Sequence, residues 1–221
     1  MRRWLRALVI VSLLIAAGLY RLRDSRPADV TALQQDANGP VLRAAIIGDP
    51  ADPRVAAARE AIVHWNEEFR RLGRQLHFDS VTIAGETTPD SLLRAASGEA
   101  MLGRGPATTR LLSMFSDVPA DIVIALSRTD LISFSVRWRA GSRGVVGLRR
   151  SDIPPLSLPN TLRNVVAHEI GHVLGLSHNG DSTTLMCGRP AACRPIAFVS
   201  DTARFFPLTP ADDRRLRDRW P

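Results

Sequence analysis

Hydrophobic residues recur along this chain with two periods, and the longer period predicts helices. Between Val55 and Leu72 the apolar positions are three or four residues apart, which predicts an amphipathic helix. Asp52-Pro53 is typical of a helix start and Gly73 of a helix end. The same spacing between Leu162 and Val173 predicts a second helix, for which Asn160 is a candidate N-cap.

Shorter segments are apolar in alternation or throughout, which predicts β-strands beside the helices. A short helix is predicted from Pro89 to Ala96, and Thr209 begins a capping box for a charged helix ending near Arg219. The segment from about Gly98 to Ala120, which includes Gly103-Arg104-Gly105-Pro106, is predicted to be a surface loop near the cleft. The predicted strands are Val41 to Ile47, Leu76 to Ile83, Asp121 to Leu126, Leu131 to Trp138 and Gly144 to Leu148.

The segment HEIGHVLGLSH carries the clearest chemistry in the chain. Residues four apart project from one face of a helix, so His168 and His172 can bind a metal ion from one side. Gly175 stands where the helix is expected to end in a left-handed residue, and the reversal can bring His178 back toward the metal. Three imidazoles leave one zinc position for water, and Glu169 is placed to act as general base and acid.

The third ligand distinguishes the classes of zinc hydrolase. A thermolysin-like site needs a downstream glutamate, and none follows Glu169. Instead Met186 follows His178 by eight residues, and the whole pattern resembles the metzincin metallopeptidases, most of all the matrixins. The resemblance implies zinc ligands at His168, His172 and His178, catalysis by Glu169, and a Met-turn at Met186.

The same resemblance implies a function and a fold. The function is that of a zinc-dependent endopeptidase, which hydrolyses extracytoplasmic proteins or peptides with a zinc-activated water. The fold is α+β, with a mixed, mostly parallel twisted sheet of about five strands, an active-site helix, a second long helix and a C-terminal helix. The substrate is expected to lie along an edge strand, either Leu131 to Trp138 or Gly144 to Leu148. The alternative is a catalytically silent zinc-binding protein that holds peptides in the same cleft.

Two residues depart from the usual matrixin pattern. Matrixins usually have serine after the third histidine and proline two residues after the methionine, where this chain has Asn179 and Gly188. Their second, structural zinc is expected to be absent, because only His64 and His77 remain, and both are expected to be solvent-facing or hydrogen-bonded. One catalytic zinc is therefore implied; calcium is conceivable by analogy, but no Asp-rich loop supports it.

Cys187 and Cys193 are the two cysteines of the chain. An extracytoplasmic disulfide closing a small loop after Met186 is the first interpretation. Two free thiols, or a cysteine that ligates the zinc, are the alternatives that spacing leaves open.

The N-terminus predicts where this chemistry takes place. Ala7 to Tyr20 is a stretch of fourteen uncharged residues with three arginines on either side, which is typical of a secretory signal peptide or an uncleaved membrane anchor through residues 4–22. The expected domains are this segment at 1–26, a polar linker at 27–40 and a catalytic domain at 41–221. The expected location is therefore extracytoplasmic, either anchored or secreted.

The net charge of +7 does not indicate nucleic-acid binding. Six arginines and one aspartate in residues 1–26 carry +5 of it, so the remaining residues are nearly neutral. Because no recognition motif or interleaving of basic and aromatic residues is present, the expected partner is a protein or peptide substrate and not a nucleic acid.

Overall fold

A mixed β-sheet forms the centre of the protein in a computed structural model that describes residues 35–36, 39–138, 143–188 and 202–220. Its strands are β1 (Gln35–Asp36), β2 (Gly39–Ile47), β3 (His77–Ala84), β4 (Ile122–Leu126), β5 (Phe134–Arg137) and β6 (Gly144–Leu148). The five main strands lie in the order β3-β2-β4-β6-β5. All are parallel except β5, which pairs antiparallel with β6 at one edge, while β1 forms a two-residue antiparallel pair with the start of β2.

Helices cover both faces of this sheet. The described helices are α1 (Pro53–Arg71), α2 (Asp90–Leu102), α3 (Pro106–Met114), α4 (Pro159–Val173) and α5 (Pro210–Arg219). Leu93 of α2 and Leu111 of α3 pack with Val123, Phe134 and Val136 in a core on one face. The alternate strand residues are buried on the other face, where α1 and α4 pack against each other.

This arrangement confirms the predicted fold class and all five predicted strands. It also decides between the two candidate edge strands. Because β6 lies between β4 and β5, the prediction of Gly144–Leu148 as the edge was wrong, and the edge is β5.

The prediction of a surface loop from about Gly98 to Ala120 was wrong, because α2 extends to Leu102 and α3 follows at Pro106. The Glu99 carboxylate stabilises the start of α3. It accepts hydrogen bonds from the N–H groups of Ala107 and Thr108 at 3.0 and 2.8 Å, and so satisfies the first turn of α3 from outside that helix.

The predicted helix starts are confirmed at Asp52 and Thr209 and wrong at Asn160. Asp52 caps α1, and Thr209 caps α5 through a capping box with Asp212. Asn160, however, lies inside α4, which begins at Pro159 with Leu158 as its N-cap. Its amide oxygen instead accepts the N–H of Arg204 at 3.1 Å, because the chain after residue 202 packs against this buried side chain.

The ends of β4 and β6 are held by one buried arginine. Arg54 Nη1 donates to the carbonyl oxygens of Ser127, Leu148 and Arg149 at 2.6, 3.1 and 3.0 Å. Its Nε and Nη2 donate to the two carboxylate oxygens of Asp52 at 2.8 and 2.5 Å. These residues are called the strand-end cluster below.

The predicted signal peptide or anchor, residues 1–26, lies outside the described residues, as does most of the predicted linker at 27–40. The described part of that linker forms β1 and the first two residues of β2. Among the residues that the structure describes, none of the helices has the length and apolar character needed to cross a membrane.

Candidate metal centre

Helix α4 presents the first two histidines of the predicted metal site. It packs against α1, where the Trp65 indole Nε1 donates to the Ala167 carbonyl oxygen at 3.1 Å. Ile170 and Val173 are fully buried on the core side of the helix. His168 and His172 therefore emerge together on a different face, one turn apart.

The chain reverses after α4 and returns the third histidine to the same place. Gly175 has a φ of +108°, a conformation that side chains rarely adopt, and the Leu176 N–H donates back to Gly171 O at 2.9 Å. The Nε2 atom of His178 then lies 3.1 Å from that of His168 and 2.9 Å from that of His172. The Nε2 atoms of His168 and His172 are 3.1 Å apart. The three residues are called the histidine cluster below.

The second nitrogen of each helical histidine determines its tautomer. His168 Nδ1 lies 2.7 Å from the Leu185 carbonyl oxygen, and His172 Nδ1 lies 2.9 Å from that of Leu176. Because a carbonyl oxygen only accepts, each Nδ1 is protonated and each Nε2 presents a lone pair to the cluster. Burial lowers the pKa of His172 to about 4 and also lowers that of His178, which favours neutral rings.

His168 and His172 thus present two Nε2 lone pairs, and His178 adds a third when its ring is protonated at Nδ1. Three lone pairs at this distance repel one another unless a cation lies between them. Two nitrogen ligands of a tetrahedral zinc at about 2.0–2.1 Å are about 3.3–3.4 Å apart, close to the observed spacing. The donor set and the spacing thus fit zinc, and the three histidines could hold a metal ion. No further group of three or more potential ligands is found within the described ranges.

The predicted Met-turn lies directly against this cluster. The Cys187 N–H donates to Thr184 O at 3.3 Å, which closes a turn that buries Met186 completely. A Cβ on Gly171 would lie 2.7 Å from the Met186 sulfur, so the glycine of the motif gives the methionine its space. The turn also supplies the Leu185 carbonyl that orients His168.

The two departures from the matrixin pattern both contact the histidine cluster or its loop. The Asn179 N–H donates to Met186 O at 2.9 Å and links the segment after His178 to the turn. At Gly188 a Cβ would lie 2.1 Å from Cγ of His178, so only glycine leaves room for this ring.

Glu169, the predicted acid and base, is buried and follows His168 in α4. Burial raises its pKa to about 7, and a hydrogen bond with the Ser135 side chain acts in the opposite direction. A carboxyl group with a pKa near neutrality can both accept and release a proton. Sequence reasoning missed Ser135, because it lies 34 positions away on β5 and no motif distinguishes it from other serines.

The two other histidines lie apart from this centre. His77 is hydrogen-bonded, with its Nδ1 3.0 Å from Gln75 O, as expected. The expectation for His64 was wrong, because its ring is buried and stacked on Phe205, and its Nε2 makes no hydrogen bond within the described residues. Cys187 is part of a disulfide, whereas Cys193 lies outside the described residues.

Comparisons with known proteins agree with the sequence resemblance. The model of the Matrixin family (Peptidase M10) matches residues 137–193, which include the three histidines, Glu169 and Met186. The resemblance to matrixins is thus confirmed for this segment, and it supports a zinc metallopeptidase. No curated protein matches the chain significantly.

Two solved structures of archaemetzincins are similar to this chain at low identity. The one from Methanopyrus kandleri is 16% identical, with a TM-score of 0.49, over 80% of this chain and 94% of that one. The one from Archaeoglobus fulgidus, solved with malonate, is 14% identical, with a TM-score of 0.46, over 79% of this chain and 99% of that one.

Proposed function

We propose that this protein is a zinc-dependent endopeptidase of metzincin type. The observation that supports the proposal is the convergence of three Nε2 atoms within 3.1 Å of one another. A buried carboxyl group, Glu169, follows the first of these histidines in the chain. A structural metal site has no need of such a carboxyl group, whereas a hydrolytic site does.

Bound zinc supplies a Lewis acid that polarises the peptide carbonyl and lowers the pKa of water to about 7. A carboxylate oxygen of Glu169 accepts a proton from the water that attacks this carbonyl carbon, and then donates it to the leaving amine nitrogen. The Ser135 hydroxyl lowers the pKa of this carboxyl group, and Ser135 belongs to β5, the strand along which an extended substrate pairs. The carbonyl oxygens of Leu185 and Leu176 keep His168 and His172 in their ligating orientation.

Metal content and proteolysis of one preparation test this function. Full-length protein is freed of metal, reloaded with one equivalent of zinc, and incubated with an unfolded protein in the presence or absence of chelator. We expect internal cleavage that needs zinc and falls by about 10²–10⁴-fold in Glu169→Gln. Glu68→Gln, an acid of α1 bonded to Arg71, is the matched control and is expected to leave cleavage unchanged.

Zinc binding without any cleavage by the parent protein would contradict the endopeptidase proposal. Peptide affinity that is equal in the parent and in Glu169→Gln would then favour the silent peptide-binding alternative. Cleavage only from chain ends would identify an exopeptidase instead.

We further propose that the catalytic domain acts outside the cytoplasm. The arginine-flanked apolar segment at residues 7–20 and the disulfide at Cys187 support this location. In a bacterial host, protease added to intact spheroplasts is expected to degrade the domain. Protection of the domain until the membrane is lysed would contradict the proposal.

A further inference from the structure

The free edge of the sheet presents the main-chain groups of two residues. The Trp138 N–H donates to Arg143 O across the β5–β6 pair at 3.1 Å. Because successive residues of an antiparallel pair alternate between inward and outward bonding, Phe134 and Val136 face β6. Ser135 and Arg137 therefore direct their N–H and C=O groups away from the sheet. The carbonyl oxygen of Arg137 accepts from Arg104 there, and an extended peptide can pair with the other three groups.

The side chains of Ser135 and Arg137 share the face of the sheet that carries the metal centre. Phe134 and Val136 belong to the core on the opposite face, so the residues between and after them point toward α4. The Ser135 hydroxyl contact with Glu169 agrees with this assignment. Arg137 lies two residues after Ser135, which is about 7 Å further along β5.

The guanidinium of Arg137 is half-buried and carries no countercharge among the described residues. Its Nε is shielded from solvent and makes no hydrogen bond there, and no ion pair within the described ranges includes Arg137. A cationic group in this position loses hydration without gaining a partner. It is therefore available to an anion that enters from the free edge.

A second arginine lies at the same edge. Arg104, from the turn between α2 and α3, donates from Nη2 to the outward carbonyl oxygen of Arg137. This is the one hydrogen bond that the described structure gives to its exposed guanidinium. Burial, together with repulsion from Arg219 and Arg104, lowers the pKa of Arg137, which places the positive charges close together.

We propose that Arg104 and Arg137 form an anion-binding subsite that selects substrates with an acidic side chain on the N-terminal side of the cleaved bond. This inference rests on the proposed peptidase function, because the position of the acidic residue is counted from the cleaved bond. A peptide antiparallel to β5 has its N-terminal half beside Arg137, and Arg137 follows Ser135 by two residues. The acidic residue accordingly stands two or three positions before the cut, where a carboxylate can accept bonds from both guanidinium groups.

Matched peptides test this subsite through the rate of cleavage. After the wild-type cut position is known in a neutral peptide, glutamate or glutamine is placed at each of four positions before and after it. We expect glutamate two or three positions before the cut to raise kcat/KM by about 10- to 100-fold over glutamine. The preference is expected to disappear in Arg137→Gln, to weaken in Arg104→Gln and to survive in part in Arg137→Lys. Arg59→Gln, an exposed arginine of α1, is the control that keeps it.

Zinc content and the circular dichroism spectrum, both equal to those of the parent, show that each variant is folded and loaded with zinc. Equal cleavage of glutamate and glutamine peptides by the wild type overturns the proposal. So does a preference that survives in both glutamine variants, or one confined to positions after the cut.

Binding to zinc-loaded Glu169→Gln, measured by fluorescence anisotropy with the same peptides, separates this proposal from the peptidase function. If the parent protein cleaves nothing but the glutamate peptides still bind more tightly in an Arg137-dependent manner, the peptidase assignment fails and the subsite stands. If neither cleavage nor binding distinguishes the peptides, the subsite is rejected.

Discussion

The strand-end cluster and the histidine cluster are both built from polar groups within the fold, but they differ in how those groups are paired. In the strand-end cluster every guanidinium nitrogen of Arg54 has an acceptor inside the protein. In the histidine cluster three ring nitrogens face one another, and those of His168 and His172 are acceptors with no donor from another described residue between them. The first arrangement is complete without a ligand, and the second is complete only with a cation.

This difference separates a structural role from a binding role. A polar cluster whose donors and acceptors match lowers the free energy of the folded chain by itself. A cluster of like groups carries an electrostatic cost in the free protein, which the ligand removes when it binds. The same reasoning distinguishes the paired Arg54 from Arg137, whose guanidinium has no partner among the described residues.

Removing Arg54 gives the largest expected change in stability. Arg54→Met removes the guanidinium that donates to the Asp52 carboxylate and to three strand-end carbonyls, so we expect the free energy of unfolding to fall by about 3–5 kcal/mol. Urea unfolding in the presence of chelator measures it, with Arg59→Met as the control for loss of an exposed arginine. A loss below about 1 kcal/mol would mean that the cluster is not the structural element described here.

Zinc bound to the histidine cluster is expected to stabilise the folded protein by about as much as Arg54→Met destabilises it. At a free zinc concentration about 1,000 times the Kd, the free energy of unfolding rises by about 4 kcal/mol. His178→Ala removes an exposed ring, so the metal-free variant is expected to unfold within about 0.5 kcal/mol of the parent but to gain much less from zinc. An equal zinc effect in His178→Ala would place the ion elsewhere.

The two clusters also differ in how far the sequence could predict them. The histidine cluster was predicted because its three members lie within eleven consecutive residues, where helical periodicity and one glycine determine their geometry. Arg54 binds carbonyls 73 to 95 positions away, and Ser135 contacts Glu169 across the sheet, so neither contact has a local signal. The long apolar stripes predicted α1 and α4 for the same local reason. Helix α3 was missed because its first turn is capped by Glu99, a residue of the preceding helix.

His64 differs from both clusters, because it is buried and its Nε2 makes no hydrogen bond within the described residues. Burial lowers its pKa from 6.5 to about 4, with a smaller opposite effect from Glu67. The unfolded chain therefore binds a proton at His64 more tightly than the folded chain does. The contribution of neutral His64 to the free energy of unfolding is complete above about pH 6.5 and is lost as the pH falls toward 4. The total change is about 3 kcal/mol.

Chemical unfolding of the parent and of His64→Phe between pH 4 and 7, both with chelator, measures this contribution. Phenylalanine keeps the stack on Phe205 and cannot titrate. We expect the stability difference between the two proteins to change with pH in that window. A constant difference would show that His64 does not titrate as its burial implies.

The smallest expected effect tests the packing around the third histidine. A methyl group at Gly188 would displace the ring of His178, so Gly188→Ala is expected to weaken zinc binding by about 10- to 100-fold. Competition with a chromophoric chelator measures the Kd. Gly180→Ala is the matched control, because its Cβ meets no atom within 4 Å. Equal Kd values for the two variants would mean that the ring has room to move.

X-ray absorption spectroscopy of the zinc-loaded protein shows whether three imidazoles share one ion. We expect one zinc per chain with three histidine nitrogens at about 2.0–2.1 Å and one further light atom. A sulfur ligand at about 2.3 Å, or fewer than three histidines around the ion, would contradict it.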